Sequence, residues 1–386
     1  MVGCMSKLRN RAEQLLAQAY AETLSHVPAG AAVFDAHVHV GTDIDGFVSR
    51  REELLAFLDG SNATGAFCFC LDEPDRVPAF RAANDRTLVA STASDGKLVP
   101  FVRLDLEDHP IEEARRVLDL GGAGIKLHPR SQGFSVGDDR LAPVFALSEE
   151  YGVPILIHGG RGLPPIADDL ERLVSNHEQA QLIIAHAGVA DLERLTGHFG
   201  GRPGVFFDTS AWSFYDLVDL FGRVAPEQIA YASDYPYGQQ PGSLHLVLRV
   251  ASVMGYSDDQ VKAVVGGTAR AISAGSPPSP TDPPGVPSLQ QPVTLLRIHH
   301  YLAMAIPMLW GGQPDRIGVL GLALNTCTSN GDQSALLEEL SEYLGCARDL
   351  WAHVAETEDE AEAFALTRLV MRLLHVADIN ALSRHE

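Results

Sequence analysis

The stretch FDAHVHVG, residues 34–41, sets His37 and His39 one residue apart at the end of an apolar run, in a chain with fifteen histidines among 386 residues. Neutral imidazole is the commonest protein ligand for zinc and similar borderline metals. A strand alternates its faces with a period of two, so the pattern predicts Asp35, His37 and His39 on one face and Phe34, Ala36 and Val38 on the other. Two imidazoles on one face can take neighbouring coordination positions, although the motif by itself is equally compatible with a buried hydrogen-bonded pair.

Three other segments tip that balance. His158 closes PILIHGG, His186 closes LIIAHAG, and Asp234 lies in YASDYPYG, each at the C-terminal tip of a separate apolar run. If those tips converge, four histidines and an aspartate meet, which is a set able to hold a divalent metal. A metal held there lowers the pKa of water from about 16 to about 7 and polarises a carbonyl oxygen. Asp234 beside it would accept the water proton and return it to a leaving group; its alternative role is a helix cap.

Strand tips also carry candidates for substrate contact. GIKLHPR puts Lys126 and His128 on one strand face, and lysine is scarce, with four against twenty-five arginines. Arg161, in HGGRG, offers a planar fork of donors to a carboxylate, or else a loop salt bridge. Trp212, Tyr235 and Tyr237 follow later strands and either line the pocket or serve packing. Cys68 and Cys70 form a CxC that reads best as small apolar filler.

What positions these residues is a series of eight apolar, β-branched runs: AAVFDAHV, TGAFCFCL, LVPFVRLDL, GAGIKLHP, VPILIHGG, QLIIAHAG, GVFFDTS and QIAYASDY. Each is followed by turn residues and a segment able to form a helix, which predicts an α/β fold, the TIM (β/α)8 barrel, with its active site at the C-terminal strand ends. The Pro-rich stretch SAGSPPSPTDPPGVPSLQQP then breaks the pattern. The expected organisation is an N-terminal helix over 1–28, a barrel over 29–274, a linker over 275–292 and a helical appendage over 293–386.

The set of strand-tip motifs resembles the amidohydrolase superfamily, in particular the amidohydrolase-related branch that includes aminocarboxymuconate semialdehyde decarboxylase. The likeness spans about residues 32 to 273. It implies that His37, His39, His158 and Asp234, with His186 and Lys126 as further candidates, hold a divalent metal, zinc first and manganese second, and that Asp234 and His186 carry catalysis. Arg161, His128, Trp212 and Tyr235 are then the candidates for binding substrate. KLHP is similar to the dihydroorotase segment whose lysine is carboxylated and bridges two metals, while the mononuclear branch lacks that bridge; one metal is favoured over two. The implied activity is hydrolysis of a small amide, lactone or ester, with decarboxylation of an unsaturated or aromatic acid as the alternative.

Composition bounds the partners. With 50 acidic against 29 basic residues the formal net charge is −21, which repels nucleic acid and anionic lipid, and leaves a small molecule as the expected partner. Five cysteines without framework spacing, an amphipathic N-terminus and no long apolar window predict a cytoplasmic enzyme, with assembly as a homo-oligomer left open.

Overall fold

Residues 2–286, 289–311, 316–328, 334–354 and 356–384 are described by the structure, a computed structural model; Pro287 and Ser288 of the predicted linker lie outside the described residues. Nine strands form one sheet: β1 (Val33–Thr42), β2 (Val48–Ser49), β3 (Ala63–Cys70), β4 (Leu98–Arg103), β5 (Gly124–Leu127), β6 (Ile155–Ile157), β7 (Leu182–Ile184), β8 (Val205–Asp208) and β9 (Ile229–Ala230). Their order is β2-β1-β3-β4-β5-β6-β7-β8-β9. β2 is a short antiparallel addition to β1, and the other eight pair in parallel, one from each predicted run. Ala36 donates its amide to the Tyr231 carbonyl at 2.8 Å, Asp234 to that of His37 at 2.9 Å, and His39 to that of Tyr235 at 2.8 Å. These bonds join the segment beyond β9 to β1 and close the sheet into a TIM barrel.

Helices follow the strands because the intervening segments are amphipathic. In Pro110–Asp119, for example, a proline sits in the first turn, and Ala114, Val117 and Leu118 turn inward. Strands covered on one face by helices and on the other by the barrel interior have no wet side, hence their nearly continuous apolar sequences. One apolar cluster takes Phe34 and Ala36 from β1, Phe67 and Phe69 from β3, Phe101 from β4, Leu156 from β6, Ile183 from β7, Phe206 from β8 and Ala230 from β9. A cluster drawing on so many strands can only fill the barrel interior.

β1 departs from simple alternation. Phe34 and Ala36 belong to the inner cluster, yet His37 and His39 also lie inward, their rings 5.0 and 4.6 Å from that of Phe69. A register shift against β3 between Asp35 and Val38 breaks the period of two, which corrects the expected face assignment.

By compactness the chain divides into a barrel unit, Val27–Gln239 with Met254–Pro287, and a helical unit, Met1–His26 with Gln240–Val253 and Ser288–Glu386. The helix after β9, Gly242–Val253, is thus part of the helical unit. That unit contains the helices Val2–Ser25, Gly242–Val253, Val293–Trp310, Arg316–Thr328, Ala335–Val354 and Glu360–Ser383 around leucines such as Leu15, Leu302, Leu344 and Leu373. A buried polar chain also runs through it. His245 Nδ1 meets the Thr23 hydroxyl at 2.9 Å, its Nε2 meets Asn380 Oδ1 at 2.8 Å, and Asn380 donates to Glu339 at 3.1 Å. Burial pushes His245 down to about 4, so the ring is neutral near pH 7. No helix among the described residues is long and apolar enough to cross a membrane.

Candidate metal centre

His37 and His39 reach the barrel mouth on β1 with both rings buried. His37 Nδ1 lies 2.7 Å from Asp208 Oδ2, at the end of β8. A carboxylate only accepts, so Nδ1 carries the proton and Nε2 keeps its lone pair. The Nδ1 of His39 faces the Cys70 carbonyl at a long 3.5 Å, and the tautomer with its proton there leaves Nε2 as a ligand. Both Nε2 atoms turn to one carboxylate oxygen: Asp234 Oδ1 is 3.2 Å from that of His37 and 3.1 Å from that of His39. Three potential ligand atoms therefore converge, all within 4.8 Å of one another, in a buried place. Lone pairs repel unless a cation or a proton stands among them, so this donor set fits a divalent metal.

The surrounding charges agree with that reading. Burial raises Asp234 above the ordinary carboxylate range and drives His37 and His39 far below the usual imidazole value. Lys126, on β5 and fully buried, places Nζ 3.2 Å from His37 Nε2 and 4.5 Å from the centre of the Phe69 ring. Burial pulls its ammonium well below the usual lysine value. His158 has neither ring nitrogen hydrogen-bonded although both are buried, and it is pushed down to about 2, first by burial. Its ring stacks on His128 at 4.0 Å and meets His186 edge-on at 4.6 Å, while His186 lies 5.2 Å from His37. Asp234 and His186 both adopt left-handed backbone, with φ of 57° and 58°, a conformation uncommon outside glycine and concentrated at functional sites.

A family model described as Amidohydrolase matches residues 34–272, well over half the chain. The chain belongs to the amidohydrolase family. No curated protein matches this amidohydrolase. Among solved structures it is similar to the apo form of IDCase from Metarhizium anisopliae, at 14% identity and a TM-score of 0.50, over 64% of this chain and 98% of that one. It also resembles 4-oxalomesaconate hydratase LigJ from Rhodopseudomonas palustris, at 15% identity, TM-score 0.49, covering 63% and 96% of the two chains. A third is amidohydrolase 2 from Bifidobacterium longum subsp. infantis, at 16% identity, TM-score 0.46, covering 63% and 99%. At such identities, what the first shares with the chain is the fold.

The other candidates of this amidohydrolase separate into two groups. His128 joins the histidine stack, and its Nδ1 accepts from the Ser131 amide at 3.1 Å. Tyr235 packs its ring on Phe57 at 4.3 Å and gives its carbonyl to barrel closure. Tyr237 donates to Asp43 at 2.7 Å and sets its ring edge against His39 at 5.6 Å. Arg161 and Trp212, by contrast, are exposed, at 81% of the side chain and 59% of the residue, and Arg161 lies 3.6 Å from Asp216. Cys68 and Cys70 are free and buried, and burial raises both thiols.

Sequence reasoning passed over Asp208 and Arg103, and it set Asp35 on a face with His37 and His39 without giving it a role. Asp208 Oδ1 accepts from the His186 amide at 2.8 Å, from the Ser210 amide at 3.0 Å and from the Ser210 hydroxyl, while Oδ2 holds His37. Its signal was the same one used elsewhere, an acid ending the apolar run VFFD. Arg103 ends β4 in the same manner. Asp35 accepts from the amides of His37 and Ser233, at 3.1 and 3.0 Å, joining β1 to the segment beyond β9; burial raises it to about 7.

Proposed function

We propose that the protein is a metal-dependent hydrolase that binds one divalent metal, zinc first, and cleaves a small amide, lactone or ester with water. The observation that carries this reading is the buried convergence of His37 Nε2, His39 Nε2 and Asp234 Oδ1, three atoms able to serve as metal ligands. His37, His39 and Asp234 would hold the metal, and His158, whose ring nitrogens are buried without partners, is the fourth candidate. When bound, such a metal supplies Lewis acidity toward a carbonyl oxygen and makes water a stronger acid.

The chain's own groups account for the remaining steps. Asp208 fixes the His37 tautomer and ring orientation. Asp234, through the carboxylate oxygen not turned to the histidines, takes a proton from the attacking water, and its affinity for protons, raised by burial, suits a base that must later return one to the leaving group. Phe69, beneath both histidines, keeps bulk water from the inner side of the site. Lys126 has two roles open to it. As an amine stripped of its proton by burial it can take up carbon dioxide to form a carbamate, and as an ammonium it can hold a substrate carboxylate. The second role favours the lyase alternative, in which an acid loses carbon dioxide.

Metal analysis of the purified protein is the first test, with about one zinc or manganese per chain expected and its absence after reconstitution overturning the reading. Turnover on a panel of lactones, amides, esters and unsaturated acids then separates the chemistries. A new acid with an alcohol or amine marks hydrolysis, and carbon dioxide without a new carboxyl marks the lyase.

A further inference from the structure

Arg103 is the most conspicuous buried group that the chemistry above leaves unused. It ends β4, in register with Lys126 on β5, and only 2% of it is exposed. A guanidinium cannot lose its charge to ease burial, so it must be matched by partners in place. The partners are incomplete. Nη1 donates to the Cys70 carbonyl at 3.2 Å and Nη2 to the Ser131 hydroxyl at 2.8 Å, both neutral, and the guanidinium carbon lies 4.9 Å from the centre of the Phe80 ring. The nearest carboxylate oxygen, Asp72 Oδ1, stands 4.0 Å from Nη2, outside hydrogen-bond reach, and is closer to Arg76 at 3.4 Å. Nε is buried with no hydrogen-bond partner.

The location is next to the metal centre. The Cys70 carbonyl that accepts from Arg103 is the one that His39 Nδ1 faces. The positive charge of Arg103 also lowers the proton affinities of His39, His128 and Lys126, as a cation near all three must. A purely structural arginine stapling the loops after β3 and β5 would need only the two Nη contacts. It would not need a buried cation whose Nε–H, on the edge that matches a carboxylate, has nothing to donate to.

We propose that Arg103 anchors a carboxylate of the substrate beside the metal centre, which makes the substrate class a small organic acid and not a neutral amide or ester. This rests on reading the barrel mouth as the active site. It also reassigns the anion-binding fork from Arg161, which is exposed, to an arginine that sequence reasoning passed over.

The probes are benzoate and glutarate against benzamide and glutaramide, titrated calorimetrically into the full chain, both zinc-loaded and metal-stripped. The carboxylates should bind both forms at least tenfold more tightly than the amides. Arg103→Met should lose at least tenfold of carboxylate affinity with zinc content unchanged, and Arg103→Lys should fall between. If Arg103→Met does not fold, nitrogen-15 spectra of the wild-type arginine side chains replace it, and a buried Nε–H resonance shifted by benzoate but not by benzamide is the expected result. Equal binding of acid and amide by wild type overturns the proposal. So does carboxylate binding that survives Arg103→Met, or that disappears on metal removal alone, since the anion then sits on the metal. Carboxylate binding at Arg103 in a chain that takes up no zinc would refute the metal reading and leave this subsite standing.

Discussion

Replacing Asp208 by asparagine changes almost nothing in size and should nevertheless weaken zinc binding. Oδ1 of Asp208 accepts three hydrogen bonds, from the His186 amide, the Ser210 amide and the Ser210 hydroxyl. A carboxamide must keep its oxygen there, because an NH2 group would confront three donors. The NH2 then faces His37 Nδ1, 2.7 Å from the present Oδ2. A donor in that place requires an acceptor, so His37 moves its proton to Nε2 and gives up the lone pair directed at the metal. Loss of such a supporting contact typically weakens metal affinity about 10- to 100-fold, which is about 1.4 to 2.8 kcal/mol. The tautomer reversal places the expected result at the upper end. The assay is competition for zinc against a chromophoric chelator, with circular dichroism to verify the fold. A folded Asp208→Asn variant whose zinc affinity is within twofold of wild type refutes the reasoning.

Three further outcomes are expected. Asp234→Asn should keep a folded barrel and much of its metal while turnover per loaded site falls by about 10² to 10⁴, and near-wild-type turnover would remove Asp234 as the base. Lys126→Ala with unchanged metal stoichiometry, and no effect of bicarbonate on reconstitution of wild type, is expected for a one-metal site; loss of a second metal equivalent would establish the carbamate bridge. In the helical unit, His245 binds its proton at about 4 when folded against 6.5 for the ordinary side chain. The unfolded chain therefore takes up more protons between these values, so this contribution is intact above pH 6.5 and is lost as pH falls toward 4, by up to about 3 kcal/mol. Urea unfolding from pH 4.5 to 7.5 should be steeper in pH for wild type than for His245→Gln, and parallel profiles would show that burial of the neutral ring is not what sets the slope.

Much of the barrel was legible because parallel strands covered on both sides must be apolar along their length, and eight such runs stand out between turns. The tips were legible for a related reason: at His158, His186 and Asp234 a polar residue interrupts a run that has no other cause to stop. Asp208 and Arg103 obey the same rule, but an acid or an arginine at a strand end has many ordinary uses, and only the contacts to His37 and to the Cys70 carbonyl separate them from those. The face of β1 could not be read, since a register shift leaves no mark in the order of residues. Nor could the allegiance of Gly242–Val253, because helical periodicity says that an apolar face exists and not what covers it.

That helix has a consequence for how the protein is made. The chain passes from the helical unit to the barrel, back for Gln240–Val253, into the barrel again and out once more. During synthesis the barrel's last residues emerge while most of the helical unit is still untranslated. His245 must wait for Asn380, 135 residues later, and until then its apolar surroundings are incomplete. Cutting at the linker would leave that helix permanently without its C-terminal partners, so the helical unit cannot be moved onto another barrel as a single cassette, and a premature stop near the C-terminus should expose chaperone-binding surface on a chain whose barrel strands are all present.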